Sequence, residues 1–202
     1  MVIEDDDALV TSLTGDRVAL GPLRRELVPT FYRWKNTLST SRTLGLSWPT
    51  TLEQEEGAYE QSLSATQRVD FVVYERATLR PIGTTYLYEI DYRHSRAGFG
   101  IIIGEETARG QGYGTEATRL TLDYAFTALG LNNVLLTVYE FNLAGIHAYR
   151  KAGFQEIGRR RRCSRLGQRL WDLIYMDCVA DDFESPVLGE VFGADEGRGT
   201  GS

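Results

Sequence analysis

The chain has 202 residues, 42% hydrophobic and 25% charged, a globular balance with length for one domain of about 170–180 residues plus tails. A net charge of −6 leaves no footprint for nucleic acid, and the two cysteines, Cys163 and Cys178, show neither zinc spacing nor a disulfide framework. No apolar run approaches the roughly 18 residues of a membrane span and the acidic start Met1–Asp7 is unlike a signal peptide, so a soluble, cytoplasmic protein without a metal is expected.

In chain order, residues 1–9 are expected to fray, and Arg17–Pro22 reads as a first strand stopped by Gly-Pro. Residues 23–36 read as a helix and Leu38–Pro49 as a Ser/Thr/Gly loop. Thr50 and Thr51 precede Glu53 and Gln54 in capping-box register, which starts a helix running to about Ser64. Phe71–Glu75 and Ile82–Ile90 alternate as strands, Asp91–Ser95 is a turn, and Gly98–Ile103 is a short apolar strand. Beyond a glycine-dense turn, Ala117, Leu120, Thr121, Tyr124, Ala125 and Ala128 recur at the spacing of one buried helix face, with Gly130 as C-cap. A buried strand at Val134–Tyr139, a short helix at Ala144–Ala152 and strands at 155–163 and 169–178 complete a domain of residues 10–185. Residues 186–202 read as a flexible tail, with 193–202 disordered by composition.

The turn carries the chemistry. Residues 109–116 are Arg-Gly-Gln-Gly-Tyr-Gly-Thr-Glu and open straight into the helix. Backbone N–H groups at a helix N-terminus attract anions, and Gly110, Gly112 and Gly114 let the main chain approach a phosphate without an intervening Cβ. The dinucleotide fingerprint fits only with Ala117 in its sixth place counted from Gly112, and it lacks the acidic residue that should end a strand about 20 residues later. A Walker loop needs Gly-Lys-Ser/Thr, yet the lysines are Lys35 and Lys151.

Arg109-x-x-Gly112-x-Gly114 instead matches the Arg/Gln-x-x-Gly-x-Gly/Ala signature of the GNAT superfamily of acyl-CoA-dependent N-acetyltransferases. Val138–Phe154 resembles the second hallmark of that superfamily: a strand, an Asn, a short helix carrying Tyr, then Gly-Phe. Leu170–Met176 resembles the closing strand of its RimJ/RimL-like branch, and the resemblance spans residues 15–185 in order. It implies an α+β fold, a mixed, mostly antiparallel central sheet with helices on both faces. It also implies that Arg109 and the N–H groups of Gly110, Gln111, Gly112, Tyr113, Gly114 and Thr115 hold the pyrophosphate of acetyl-CoA. Ile101, Ile102 and Ile103 then offer main-chain groups to the pantetheine amides, with an N–H near Ile102 as oxyanion donor, while Asn142 and Lys151 complete the cofactor set. For this the 98–103 and 134–139 strands must splay apart.

Direct attack by an amine needs no covalent nucleophile, but it needs two proton transfers. An alkyl amine with pKa near 10 costs roughly 4 kcal/mol to neutralise at pH 7. The resemblance makes Tyr149, four residues before Gly153, the general acid for the departing thiolate. Glu140 is the first choice of base, with Glu89, Asp91, ordered water or an already neutral amine as alternatives. His94 and His147 read as structural. Arg159–Arg162, with Arg165 and Arg169, read as a solvated hairpin or as ion-pair partners of the acidic 181–184 segment. Of Trp34, Trp48 and Tyr59, Trp48 is expected to wall the acceptor pocket. The expected activity is acetyl transfer to a primary amine: a small cationic metabolite, an antibiotic or a protein N-terminus. Branch members are often dimers, so a homodimer is an open expectation. The rival readings are a non-catalytic acyl-CoA-binding module and a transferase of longer acyl groups, which needs a cation beside the acyl terminus.

Overall fold

The computed structural model describes residues 9–45 and 48–196. Strands β1 (Leu13–Thr14), β2 (Val18–Gly21), β3 (Val69–Glu75), β4 (Pro81–Asp91), β5 (Arg96–Ile103), β6 (Asn133–Tyr139), β7 (Gln155–Leu166) and β8 (Arg169–Val179) form one sheet in the order β1-β2-β3-β4-β5-β6-β8-β7. Every neighbouring pair is antiparallel except β5 and β6, which run parallel. The α+β class and the mixed, mostly antiparallel sheet therefore stand as expected.

Alternation along the strands assigns the two faces. Phe71 and Val73 of β3 pack with Leu120 and Ala117 of helix α4 (Tyr113–Asp123), whereas Val72 and Tyr74 pack with Phe31 and Trp34 of helix α1 (Val28–Asn36). The α4 face continues towards β8, where Leu122 joins Phe99, Val134, Ile174 and Ile146 of helix α5 (Leu143–Ala152). On the α1 face lie two further helices, α2 (Leu38–Leu44) and α3 (Leu52–Ser64). Thr51 caps α3 through the expected box: its side chain accepts from the Gln54 N–H while the Gln54 side chain accepts from the Thr51 N–H.

Two expectations are corrected. Residues 38–44, read as loop, form α2, whose helix propensity is low; Arg109, far along the chain, donates to the hydroxyls of Ser39 and Thr40 and fixes it. The tail expected from residue 186 begins instead with helix α6 (Leu188–Glu196). Residues 197–202 and 1–8 of the expected flexible ends lie outside the described residues, whereas Leu9 packs against the α1 cluster.

The clasp for α6 is Asp123, fully buried at the end of α4, where Tyr124–Ala128 make a π-helical turn. Its carboxylate accepts from the Ser185 and Thr127 hydroxyls and from the N–H groups of Val187 and Leu188. An anion at the first turn of α6 also meets the positive end of that helix. Asp123→Ala strands these donors in the interior, and we expect a loss of about 3 kcal/mol in stability, read from the urea midpoint. An unchanged midpoint would show that α6 is held by its apolar side chains alone.

Candidate active site

Strands β5 and β6 pair only at Arg96↔Asn133, Ala97↔Val134 and Gly98↔Leu135. Beyond that point β5 stays with β4 as far as Ile103↔Gly83, and β6 stays with β8 as far as Tyr139↔Leu173. The two strands therefore part, and the sheet opens into a wedge between Phe99–Ile103 and Leu136–Tyr139. Main-chain groups along a parted edge lack a ladder partner and suit a ligand carrying amides.

Two cavities meet at the wedge. One of about 520 Å³ is lined by Ile101–Ile103, Arg109, Gly110, Gly112, Gly114, Thr115, Asn142, His147, Tyr149 and Lys151, and by Ser39, Thr40, Thr43 and Leu44 of α2. The other, of about 450 Å³, is lined by Arg68, Tyr86, Tyr88, Phe99, Thr137, Tyr139 and Leu173, and shares Ile101, Asn142 and Tyr149 with the first. Tyr149 thus stands where they join.

The glycine turn has the geometry of an anion cradle. Gly110 and Gly112 hold φ of 72° and 88°, the left-handed region that favours glycine. Among the described residues the N–H groups from Gly110 to Thr115 donate to no protein acceptor, and Glu116, bonded to the Gly112 carbonyl, is the first to close the helix. The turn is braced from behind: Arg17 donates to the Gln111 carbonyl and lies over the Tyr113 ring, whose hydroxyl donates to Glu75. Gln111 and Tyr113 line neither wedge cavity, and Tyr113 is buried, so these two positions offer the site main chain only.

Arg109 is committed to protein contacts. Its Nε donates to the Ile103 carbonyl at 3.0 Å, and its two terminal nitrogens reach Ser39 and Thr40. The charge stays beside the cavity, locked in place by α2. The three isoleucines divide as well. A Cβ placed on Gly83 would stand 2.1 Å from the Ile102 carbonyl oxygen, so that oxygen points into the β4 ladder. Main-chain groups alternate along a strand, so Ile101 and Ile103, not Ile102, turn theirs towards the wedge. Of the N–H groups near Ile102, those of Ile101 and Ile103 are therefore the ones that face the wedge.

Asn142 begins α5, its Oδ1 accepting from the Gly145 N–H at 3.0 Å, which leaves its amide NH₂ for the cavity. Tyr149 packs edge-on against Phe99 and Phe154, with ring centroids 6.2 Å and 6.0 Å away. Burial pushes its phenol well above the ordinary tyrosine range, and nearby Tyr86 adds to the shift. The hydroxyl stays protonated.

The base candidates are elsewhere. Glu140 lines neither wedge cavity; it sits in the β6–β8 pairing, where its Oε2 accepts from the Asp172 N–H. Glu89 is exposed at a bulge with φ of 51°. Asp91 is held by His94 at 2.8 Å and by Arg96, and the His94 hydrogen bond keeps its carboxyl below the usual range. His147, read as structural, is exposed and borders the larger cavity. Trp48 is 80% exposed and walls no described cavity. Trp34 and Tyr59 line a third space of about 440 Å³ under α1 and α3.

Sequence reasoning missed Tyr86, Tyr88 and Arg68. Tyr86 lies opposite Gly100 and Tyr88 opposite Gly98; a Cβ on either glycine would come within 2.4 Å of the facing ring. Alternate glycines inside a strand, facing alternate tyrosines, were the available signal.

The chain matches the acetyltransferase (GNAT) domain family over residues 17–155. It is 33% identical over 149 residues to spermidine N(1)-acetyltransferase of Escherichia coli (strain K12), covering 70% of this chain and 74% of the relative. Against mouse alpha/beta-tubulin-N-acetyltransferase 9 it is 30% identical over 161 residues, 73% of this chain and 65% of the relative. The crystal structure of spermidine N-acetyltransferase from Vibrio cholerae in complex with CoA and spermine superposes with a TM-score of 0.76 at 26% identity, covering 83% of this chain and 98% of the other. The chain belongs to the GNAT acetyltransferase family. It is an N-acetyltransferase.

Gly112→Ala places a Cβ at a left-handed residue on the cavity wall. We expect about 1 kcal/mol of lost stability and a CoA affinity at least about tenfold weaker by titration calorimetry. Wild-type affinity in this variant would remove the turn from the binding site.

Proposed function

We propose that this chain acetylates a primary amine of a small cationic, polyamine-like acceptor, with acetyl-CoA as donor. The observation that carries the reading is the parting of β5 from β6, with unpaired amides at the mouth of the wedge and Tyr149 at its centre. The residues fit a CoA thioester in kind. The amides of Gly110–Thr115, the end of α4, Arg109 and Lys151 suit the phosphates, and Ile101 and Ile103 suit the pantetheine amides. Asn142 lines the same space, and its NH₂ suits a carbonyl of the donor.

The donor supplies an activated carbonyl. The acceptor nitrogen attacks it, the C–S bond breaks, and the Tyr149 hydroxyl gives its proton to the leaving sulfur. No carboxylate lines either wedge cavity, so the ammonium proton leaves through water rather than to Glu140. A cationic acceptor agrees with the net charge of −6 and with the tyrosine rings that line the wedge, and two of the relatives above act on spermidine by name. Placement in the RimJ/RimL-like branch rests on Leu170–Met176 alone. Self-assembly as a homodimer is part of the proposal, and one similar structure, from Vibrio cholerae, is dodecameric. Cys163 and Cys178 are both free, as a reducing cytoplasm would leave them, and no helix among the described residues is long and apolar enough to cross a membrane.

Incubation with acetyl-CoA and a panel of amines, read by thiol release, is expected to give turnover that is fastest for polyamines. Absence of release with every amine, together with absence of CoA binding, overturns the proposal. Tyr149→Phe should lower kcat by about 10²- to 10³-fold while leaving CoA affinity unchanged.

The pH dependence follows from the direction of the Tyr149 shift. An acid acts in its protonated form, and a raised pKa keeps that form present to higher pH. The rate should therefore rise as the amine deprotonates and show no fall below about pH 10, the ordinary phenol value. A descending limb near pH 8 that vanishes in Tyr149→Phe would contradict this.

A further inference from the structure

Two cross-strand rows run over the α1 face of the sheet to the wedge. One is Asp70↔Tyr86↔Gly100, and the other places Tyr88 opposite Gly98, with Arg68 just before β3 beside it. Because Gly98 and Gly100 have no side chains, the Tyr86 and Tyr88 rings lie across β5 and line the wedge cavity. The Arg68 guanidinium sits 4.3 Å over the Tyr86 ring and makes two hydrogen bonds of 2.7 Å to Asp70. Arg68 and Tyr86 line both the wedge cavity and the 440 Å³ space beneath α1 and α3, and Asp70 opens into that space. The track leads from an acid on β3 to the parted edge of β5.

Resting on the acetyltransferase reading above, the geometry points to Asp70 as the anchor for a second ammonium of the acceptor, which makes the enzyme selective for diamines and polyamines over monoamines. A carboxylate has about four acceptor positions, and one bidentate arginine uses two of them. Asp70 can thus hold Arg68 and a substrate ammonium together, with Arg68 fixing its orientation. The Tyr86 and Tyr88 rings line the way for the alkyl chain. Glu55 is a poorer candidate: it is 5% exposed and both its oxygens lie 2.8 Å from Lys35 Nζ. Two strand spacings separate β3 from β5, so the second ammonium sits about 10 Å from the reacting nitrogen.

The test is kcat/KM for a homologous series of α,ω-diamines and the matching monoamines. Wild type should prefer diamines, with an optimum chain length. Asp70→Asn should cut the diamine-to-monoamine ratio about tenfold or more, leaving monoamine turnover and CoA affinity near wild type. Asp70→Glu, which carries the carboxylate one methylene further, should move the optimum to a shorter diamine. An unchanged ratio in Asp70→Asn, or a loss seen instead in Glu55→Gln, overturns this inference while leaving the acetyltransferase reading intact. Absence of wild-type turnover with every amine sinks that reading itself.

Discussion

Two adjacent strands that begin as a parallel pair and then separate are the constraint on which the site depends. Separation is costly on its own, because main-chain donors and acceptors along both edges forfeit their ladder. Each strand therefore needs a firm partner on its other side. β6 has one in β8, paired over its whole length, and β5 has one in β4. The closed end is also tied, since Ser95 O accepts from both Asn132 and Asn133 and the Asn133 side chain donates to Asp177. Below the open end, Tyr149, Phe99 and Phe154 fill the floor. The gap is a rigid notch held from both sides.

From that notch the two faces of the sheet take different tasks. The α4 and α5 face delivers the glycine turn, the Asn142 cap and Tyr149, all placed by helices packed on the main core. The α1, α2 and α3 face delivers the charged and aromatic residues suited to an acceptor. Arg109 joins the two by reaching from the glycine turn to α2 while holding the Ile103 carbonyl. In the space beneath α1 and α3 the cations Lys35 and Arg68 balance the anions Glu55 and Asp70. What distinguishes that space is where each charge sits rather than an excess of one sign.

Much of this was legible because it is local. Alternation in 71–75 and 82–90, the Thr51–Gln54 box, the apolar face of 117–128 and the left-handed glycines of the turn each follow from short-range chemistry. What was illegible depends on distant partners. Helix α2 has a Ser/Thr-rich sequence that reads as loop until Arg109 arrives from across the fold. The side chains described for α6, Leu188 to Phe192, are at most half-buried, and Asp123 supplies the helix's anchorage from more than sixty residues away. Glu140 was placed at the strand end correctly, but its carboxylate is taken by the Asp172 N–H, which only the β6–β8 pairing reveals. Trp48 reads as a pocket wall because it stands in a loop before Pro49, yet it is exposed, whereas the buried Trp34 ring is clamped over Gly104 with its Nε1 donating to Glu105.

The Asp123 clasp also sets the direction in which the chain leaves the domain. Val187 and Leu188 pack on the α4 side, opposite the helices that roof the acceptor space. The described part of this segment is therefore moored on the face of the sheet that carries α4. A tether joined to α6 starts on the face opposite α1 and α3, which suits that helix to immobilising the protein.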